Sequence, residues 1–250
     1  MTKKFIFAFI ALLVFSFAVT AFSTTSEKVT AETFTTTEAL PDGESDNVSS
    51  VSPAEKLFNL YDKLNLGVLK LNKEAFTMAV KGYNKLQASG KIKNNLLTIV
   101  DFSQPSTSKR MYILDMKEGK LVKQSVVAHG RNTGALMANK FSNIPESFQS
   151  SLGFYIASET YQGKHGLSLR LDGMENNINN NARARAIVIH GAEYANESFY
   201  KSTGYLGRSF GCPAVPTKDA NAIINTMRNG SCLFIYAQDK NYVKASKLIA

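Results

Sequence analysis

Five short runs rich in β-branched and aromatic residues set the fold class of this chain. They are LLTIVDFS (96–103), RMYILDM (110–116), KLVKQSVVAHG (120–130), RAIVIHG (185–191) and SCLFIYA (231–237). Turn signals stand between the first three, at Gln104-Pro105-Ser106 and Lys117-Glu118-Gly119. Helical spacing of apolar residues appears only around them. Ser52-Pro53, with Glu55 in the first turn, opens a stretch carrying Leu57, Leu60, Tyr61 and Leu64, and Asn65-Leu66-Gly67 ends it. A second helix follows Asn72, with Phe76, Ala79, Val80, Tyr83 and Leu86 as its stripe and Gly90 as its stop. A third spans Thr217 to Arg228, with Ala220, Ile223, Ile224 and Met227 on one face. The expected fold is mainly β, a sandwich or folded sheet with long loops, preceded by two short helices.

The N-terminal quarter reads differently. Lys3 and Lys4 precede an apolar run from Phe5 to Val19, and small residues follow at Thr20, Ala21 and Ser23. Residues 1–22 therefore read as a secretory signal peptide, cut after Ala21 or Ser23, with no stable membrane insertion once it is removed. The run is short for a bilayer span. Residues 23–52 are rich in Ser, Thr and Glu and poor in large apolar side chains, the composition of a disordered linker. Residues 53–92 form the helical segment and 93–250 the main body.

Charge divides the same way. Setting aside Lys3, Lys4 and the stretch from Ser23 to Lys56, with seven acidic residues and two lysines, leaves 25 basic and 13 acidic residues, a net of +12. A basic domain favours polyanionic surroundings. Export points to an anionic wall polymer, and without a basic-aromatic motif no nucleic-acid partner is expected.

Residues 129–182 look irregular: HGRNTGALMANKFSN, SFQSSLGFY and YQGKHGLSLRLDGMENNINNNA. Polar loops this long inside a compact domain are functional or disordered. Phe141, Phe148, Phe154, Tyr155 and Tyr161 among the glycines argue against disorder.

The chemistry concentrates between residues 187 and 216. An apolar strand ends at His190-Gly191, and a loop leads to Ser209-Phe210-Gly211-Cys212-Pro213. A thiolate nucleophile needs a base or positive charge nearby, and His190 at a strand end can provide it. Gly211 lets the backbone approach a substrate closely, and N–H groups around Gly211 and Cys212 could hold an oxyanion. From the residues alone, Cys212 could equally be a small buried apolar side chain or pair with Cys232 in a disulfide. Cys232 itself reads as a core strand residue. His129 and His165, each beside a glycine, are either cleft residues or loop hydrogen-bonders. No spacing pairs the three histidines as a metal site, and no cofactor is expected.

This stretch resembles the murein L,D-transpeptidase catalytic domain family. The resemblance rests on His190-Gly191-Ala192-Glu193-Tyr194 and Gly207-Arg208-Ser209-Phe210-Gly211-Cys212-Pro213-Ala214. Val127-Ala128-His129-Gly130, Phe141-Ser142-Asn143, Ser151-Leu152-Gly153 and Gly163-Lys164-His165-Gly166 extend it over about 95–237. It implies Cys212 as nucleophile, His190 as base and Gly211 at the oxyanion site. It further implies substrate contacts at Arg208, Ser209, Tyr194 and His129. The implied partners are peptidoglycan stem peptides, in the periplasm or at the cell surface. The implied reaction is acyl transfer to an amine; with water as acceptor it becomes L,D-carboxypeptidase chemistry. A wall-binding module without catalysis is the alternative. Three departures stand out: Phe210 replaces a second His before Gly-Cys, Pro213-Ala214-Val215 replaces an Arg shortly after the Cys, and the gap between His190 and Cys212 is somewhat longer than usual. Arg208, Arg183 or Arg185 could take over a carboxylate contact.

Overall fold

The computed structural model describes residues 59–250; the expected signal peptide, linker and Ser52-Pro53 helix start lie outside the described residues. Residues 59–63 are helical. Helix α1, Lys73–Ala88, is capped by Asn72, whose side-chain oxygen accepts the N–H groups of Glu74 and Ala75. Phe76, Ala79, Val80, Tyr83 and Leu86 are buried, as their spacing predicts.

One eight-stranded sheet forms the body, in the order β3-β2-β1-β8-β4-β5-β6-β7. The strands are β1 (Leu96–Asp101), β2 (Met111–Asp115), β3 (Lys120–Ser125), β4 (Gly153–Gly163), β5 (Gly166–Gly173), β6 (Val188–Ala192), β7 (Ala214–Pro216) and β8 (Ser231–Tyr236). Neighbours run antiparallel except β1 with β8 and β6 with β7. Past β3 the chain crosses to the other edge, where Ala128 bridges Ala214 and Gly130 bridges Ser209. The sheet is thus nearly closed, and the closing seam falls beside Cys212. Three further helices pack around it: α2 (Glu197–Thr203), α3 (Thr217–Met227) and α4 (Lys240–Ala245).

The irregular stretch expected at 129–182 is corrected in its middle. Residues 153–173 form the β4–β5 hairpin, and β4 is the longest strand. Its first half, Gly153–Ala157, pairs with β8 and is mostly buried. Its second half pairs only with β5 and carries half-buried or exposed polar residues on both faces, so no clean alternation marks it. A register shift between Ala157 and Thr160 separates the two halves. Such irregularities bend a hairpin, and this one carries its tip, Gly163–Gly166, to the candidate site.

Helix α1 lies against β1 and β8. Its closest approach is at Gly82, where an added Cβ would fall 2.1 Å from Phe154 Cζ on β4. The Phe154 ring stacks in turn on Phe234 of β8, with centroids 4.3 Å apart. Gly82→Ala would gain about 1 kcal/mol of helix propensity, but overpacking a rigid aromatic pair costs about 1–3 kcal/mol. We expect a net loss of up to about 2 kcal/mol in urea unfolding. A stability gain would mean that the helix and Phe154 are not in contact.

A buried carboxylate fastens the C-terminal end. Glu175 accepts the Phe154 N–H (2.7 Å), the Tyr242 hydroxyl (3.2 Å) and the Ser246 hydroxyl, tying α4 to the base of the hairpin. Among the described residues no helix is long and apolar enough to cross a membrane.

Candidate active site

Strand β6 runs out to His190 and Gly191, and β7 begins two residues after Cys212. The parallel pairing of His190 with Ala214 therefore sets the imidazole beside the cysteine loop. The His190 side chain is 4% exposed. Its Nδ1 lies 2.9 Å from the Gly191 carbonyl oxygen. That acceptor requires the proton on Nδ1, which leaves Nε2 with a free lone pair. Burial is the main influence pushing the His190 pKa below its ordinary value, and the nearby His165 adds to it. Gly191 has a second constraint: an added Cβ would stand 2.9 Å from Ala220 Cβ on α3. One glycine thus packs the strand on the helix while its carbonyl orients the His190 imidazole.

Cys212 is half-buried, and both cysteines are free thiols. Cys232 lies wholly inside the sheet on β8, so the disulfide alternative is set aside. The Cys212 thiol faces the Ala186 carbonyl at 3.7 Å. Crowding by protein raises its pKa; the N–H groups of Val188 and of Cys212 itself, together with the Arg185 charge, pull the other way without overcoming it. Burial thus favours the neutral form of both the thiol and the imidazole.

The loop holding Cys212 is laced to its surroundings. Ser209 Oγ accepts the Gly211 N–H (3.0 Å) and donates to the Cys212 carbonyl (2.6 Å). This hydroxyl donates and accepts once each within the turn, and Ser209 also lines the cleft that holds Cys212, where the resemblance implied a substrate contact. The Gly211 N–H, expected at the oxyanion site, is held by Ser209 Oγ here. The Cys212 N–H, which points towards its own sulfur, remains. Gly211 has φ of 127°, and an added Cβ would meet the Gln149 carbonyl at 2.8 Å. Its own carbonyl accepts from Ser150 Oγ (3.0 Å).

His129 does not reach the cleft, which corrects the contact expected there. It is 1% exposed, with Nδ1 accepting from Arg110 Nη2 (2.7 Å) and Nε2 donating to the Gly134 carbonyl (3.2 Å). Burial and the Arg110 charge push its pKa down to about 3. Its main chain does matter: the His129 carbonyl accepts from Ser209 N–H, and Arg131 N–H donates to the Ser209 carbonyl. His129 thus braces the cysteine loop from behind.

The hairpin tip delivers a different histidine. The His165 ring stacks on His190, with centroids 4.5 Å apart and planes inclined by 24°. The sequence offered two Gly-flanked histidines, and the resemblance favoured His129 over His165. The choice depends on the bend of a hairpin whose outer half gives no strand signal. His165 and His190 line a cleft of about 300 Å3 with Cys212, Tyr194, Arg208, Phe210, Tyr161 and Lys164. Arg208 and Tyr194, with Ser209, thus share the cleft with Cys212. Arg183 lies elsewhere, committed to Glu159 (2.7 Å) and Asp172.

Arg185 is the residue that sequence reasoning valued least correctly. Its guanidinium donates to the Ser142 carbonyl (2.8 Å), Ser151 Oγ (2.6 Å), Ser147 Oγ (3.3 Å) and the Gln149 carbonyl (2.6 Å). All four partners are neutral. Its charge is left uncompensated near Cys212, and it joins the 142–151 loop to the site.

Among the described residues no group of three His, Cys, Asp or Glu side chains is placed to hold a metal ion. The chain is similar to an L,D-transpeptidase from Mycobacterium smegmatis, at 12% identity over 57% of this chain and 59% of that one, with a TM-score of 0.37. It is also similar to L,D-transpeptidase 3 from Mycobacterium tuberculosis, at 11% identity over 57% and 61%, with a TM-score of 0.38. An L,D-transpeptidase from Xylanimonas cellulosilytica matches at 13% identity over 61% and 68%, with a TM-score of 0.34. The chain therefore spans less than two thirds of the first two of these relatives. No curated protein sequence matches it. The model of the L,D-transpeptidase catalytic domain matches residues 68–236, well over half of the chain, and the protein belongs to that family.

Proposed function

We propose that the protein is a cysteine acyltransferase acting on peptidoglycan stem peptides. The observation that carries this reading is the 2.9 Å contact between His190 Nδ1 and the Gly191 carbonyl. With Nδ1–H directed at the Gly191 carbonyl, Nε2 is an unprotonated base in the cleft that Cys212 also lines.

In this mechanism Nε2 of His190 takes the Cys212 proton as sulfur attacks the carbonyl of the L-centre of the third stem residue. The tetrahedral oxyanion is held by the Cys212 N–H. Collapse breaks the peptide bond, and the imidazolium returns its proton to the departing amine of the terminal D-amino acid. A thioester remains. An amine from a neighbouring stem attacks it and gives its proton to His190. The second collapse releases a cross-linked dimer, and the proton on His190 returns to the thiolate. Water in place of the amine yields a tripeptide stem. Arg208 and Lys164 at the rim of the cleft supply positive charge for stem carboxylates. The N-terminal signal-like sequence and the basic composition support action outside the cytoplasm, against an anionic wall.

The decisive experiment is mass spectrometry of the protein incubated with a purified tetrapeptide-stem muropeptide, beside Cys212→Ala. We expect loss of the terminal D-amino acid only when Cys212 is present. A dimer product identifies an amine acceptor, and a tripeptide identifies water. An unchanged muropeptide, with Cys212 free and alkylatable, would return the chain to the wall-binding reading.

A further inference from the structure

Phe210 is 65% exposed, although it stands two residues before Cys212. Leaving so much apolar surface in water beside a nucleophile calls for an explanation. Its ring lies against Phe148, with centroids 5.0 Å apart. The Arg131 guanidinium covers both rings, 4.6 Å from the Phe148 centroid and 5.2 Å from that of Phe210. Phe148 holds its ring there from a left-handed backbone, φ 53°. A bulky residue adopts that conformation only when its surroundings enforce it, and such strain collects at functional sites. The enforcement is visible. The Phe148 carbonyl accepts from Asn132 N–H (3.1 Å), and the flanking Ser147 carbonyl accepts from Asn132 Nδ2 (2.9 Å).

Arg131 itself is exposed and forms none of the ion pairs found among the described residues. Two aromatic rings lie against its guanidinium, and none of the side-chain hydrogen bonds or ion pairs found among the described residues uses it. Stacking of this kind desolvates the face of a guanidinium and leaves the bidentate fork available. The ligand that matches such a fork is a carboxylate. The site also lies within reach of the chemistry. Arg131 N–H bonds the Ser209 carbonyl, three residues before Cys212, and three residues span at most about 11 Å between Cα atoms.

We infer that Arg131, clamped by Phe148 and Phe210, is a carboxylate-recognition site for a peptide engaged at Cys212, on the rim formed by residues 131–148. The inference rests on the acyl-transfer reading and extends it, since a two-substrate reaction needs a second binding surface beside the acyl-enzyme. The carboxylate belongs either to the acyl donor or to the acyl acceptor, and the test separates them.

Arg131→Gln is compared with the parent on tetrapeptide stems ending in a free carboxylate or in a carboxamide. If the donor carboxylate binds here, the carboxylate-to-amide preference in acyl-enzyme formation falls by about tenfold, the scale of one charge-assisted hydrogen-bonded pair. If the acceptor carboxylate binds here, that preference falls instead in the partition between dimer and hydrolysed stem. An independent readout needs no stem at all. The rate ratio for Cys212 alkylation by iodoacetate over iodoacetamide falls in Arg131→Gln, because the anionic reagent loses a fixed cation. If the parent fails to turn over any stem, the acyl-transfer reading fails and the alkylation ratio alone decides for the carboxylate site. Unchanged preference ratios together with an unchanged alkylation ratio, in a variant with the parent's melting temperature, overturn the inference.

Discussion

His190→Asn is expected to lower kcat/KM for stem-peptide turnover by about 10³-fold, within the range for removing a positioned general base. Asn keeps a polar group on β6 but has no nitrogen lone pair where Nε2 stands. The loss should fall on acyl-enzyme formation and release alike, because one imidazole serves both proton transfers. The pH profile of the parent gives a sharper check. Activity requires His190 neutral, and burial moves its pKa below 6.5. As pH falls, the base therefore stays unprotonated past the point where a free imidazole would be charged, and the acidic limb should lie below pH 6.5. Crowding moves the Cys212 pKa above 9.0, so the alkaline limb should lie above that value. The two limbs belong to the pair jointly. An acidic limb above pH 6.5 would sink this account of the pair, because it would require an ion pair or a different base.

The places of His190 and Cys212 in the fold were legible in the sequence. His190, Gly211 and Cys212 sit at the end of a strand and in the turn leading to the next one, and short apolar runs bounded by glycine announce such places. Helix α1 was legible for a related reason: its stripe and cap are local properties of its own residues. What escaped reading is non-local. The outer half of β4 pairs with β5 alone, so its side chains obey no burial alternation, and the bend that brings His165 over His190 is a property of the pairing. His129 and His165 have the same local signature, glycine beside histidine, yet Arg110 buries one and the hairpin tip exposes the other. Gly211 shows the limit in a single residue. Its conformational freedom was foreseeable from its type, but not that Ser209 would occupy its N–H. Phe210 looked like the loss of a polar neighbour of the nucleophile; paired with Phe148 and Arg131 from 62 and 79 residues upstream, it is one wall of a charged platform.

Arg185 connects the fold to the chemistry, and its replacement should be felt in both. Arg185→Met is expected to lower stability by about 3 kcal/mol, because bonds to a charged donor contribute about 1.5–3 kcal/mol each and their loss is not additive. Four acceptors on the 142–151 loop would lose a bond to the guanidinium at once; the Ser142 carbonyl would keep only Ser151 Oγ and Ser147 Oγ only the Gln149 N–H, while the half-buried Gln149 carbonyl would have to turn to water. The loop also carries Ser150, whose hydroxyl holds the Gly211 carbonyl, and Phe148. Its release therefore loosens the cysteine turn and the aromatic platform together. Electrostatics acts in the same direction. The Arg185 charge favours the Cys212 thiolate against the crowding that opposes it, and the neutral side chain of Arg185→Met removes that help. The iodoacetamide rate at neutral pH should fall, and its pH dependence should move to higher pH. Arg185→Lys separates the two contributions. A lysine keeps the charge as a single point but cannot reach four acceptors in one plane. It should recover much of the alkylation profile and little of the stability. Chemical denaturation and alkylation kinetics on the two variants would settle the assignment. A stable Arg185→Met protein with an unshifted alkylation profile would show that the guanidinium supports neither the loop nor the nucleophile.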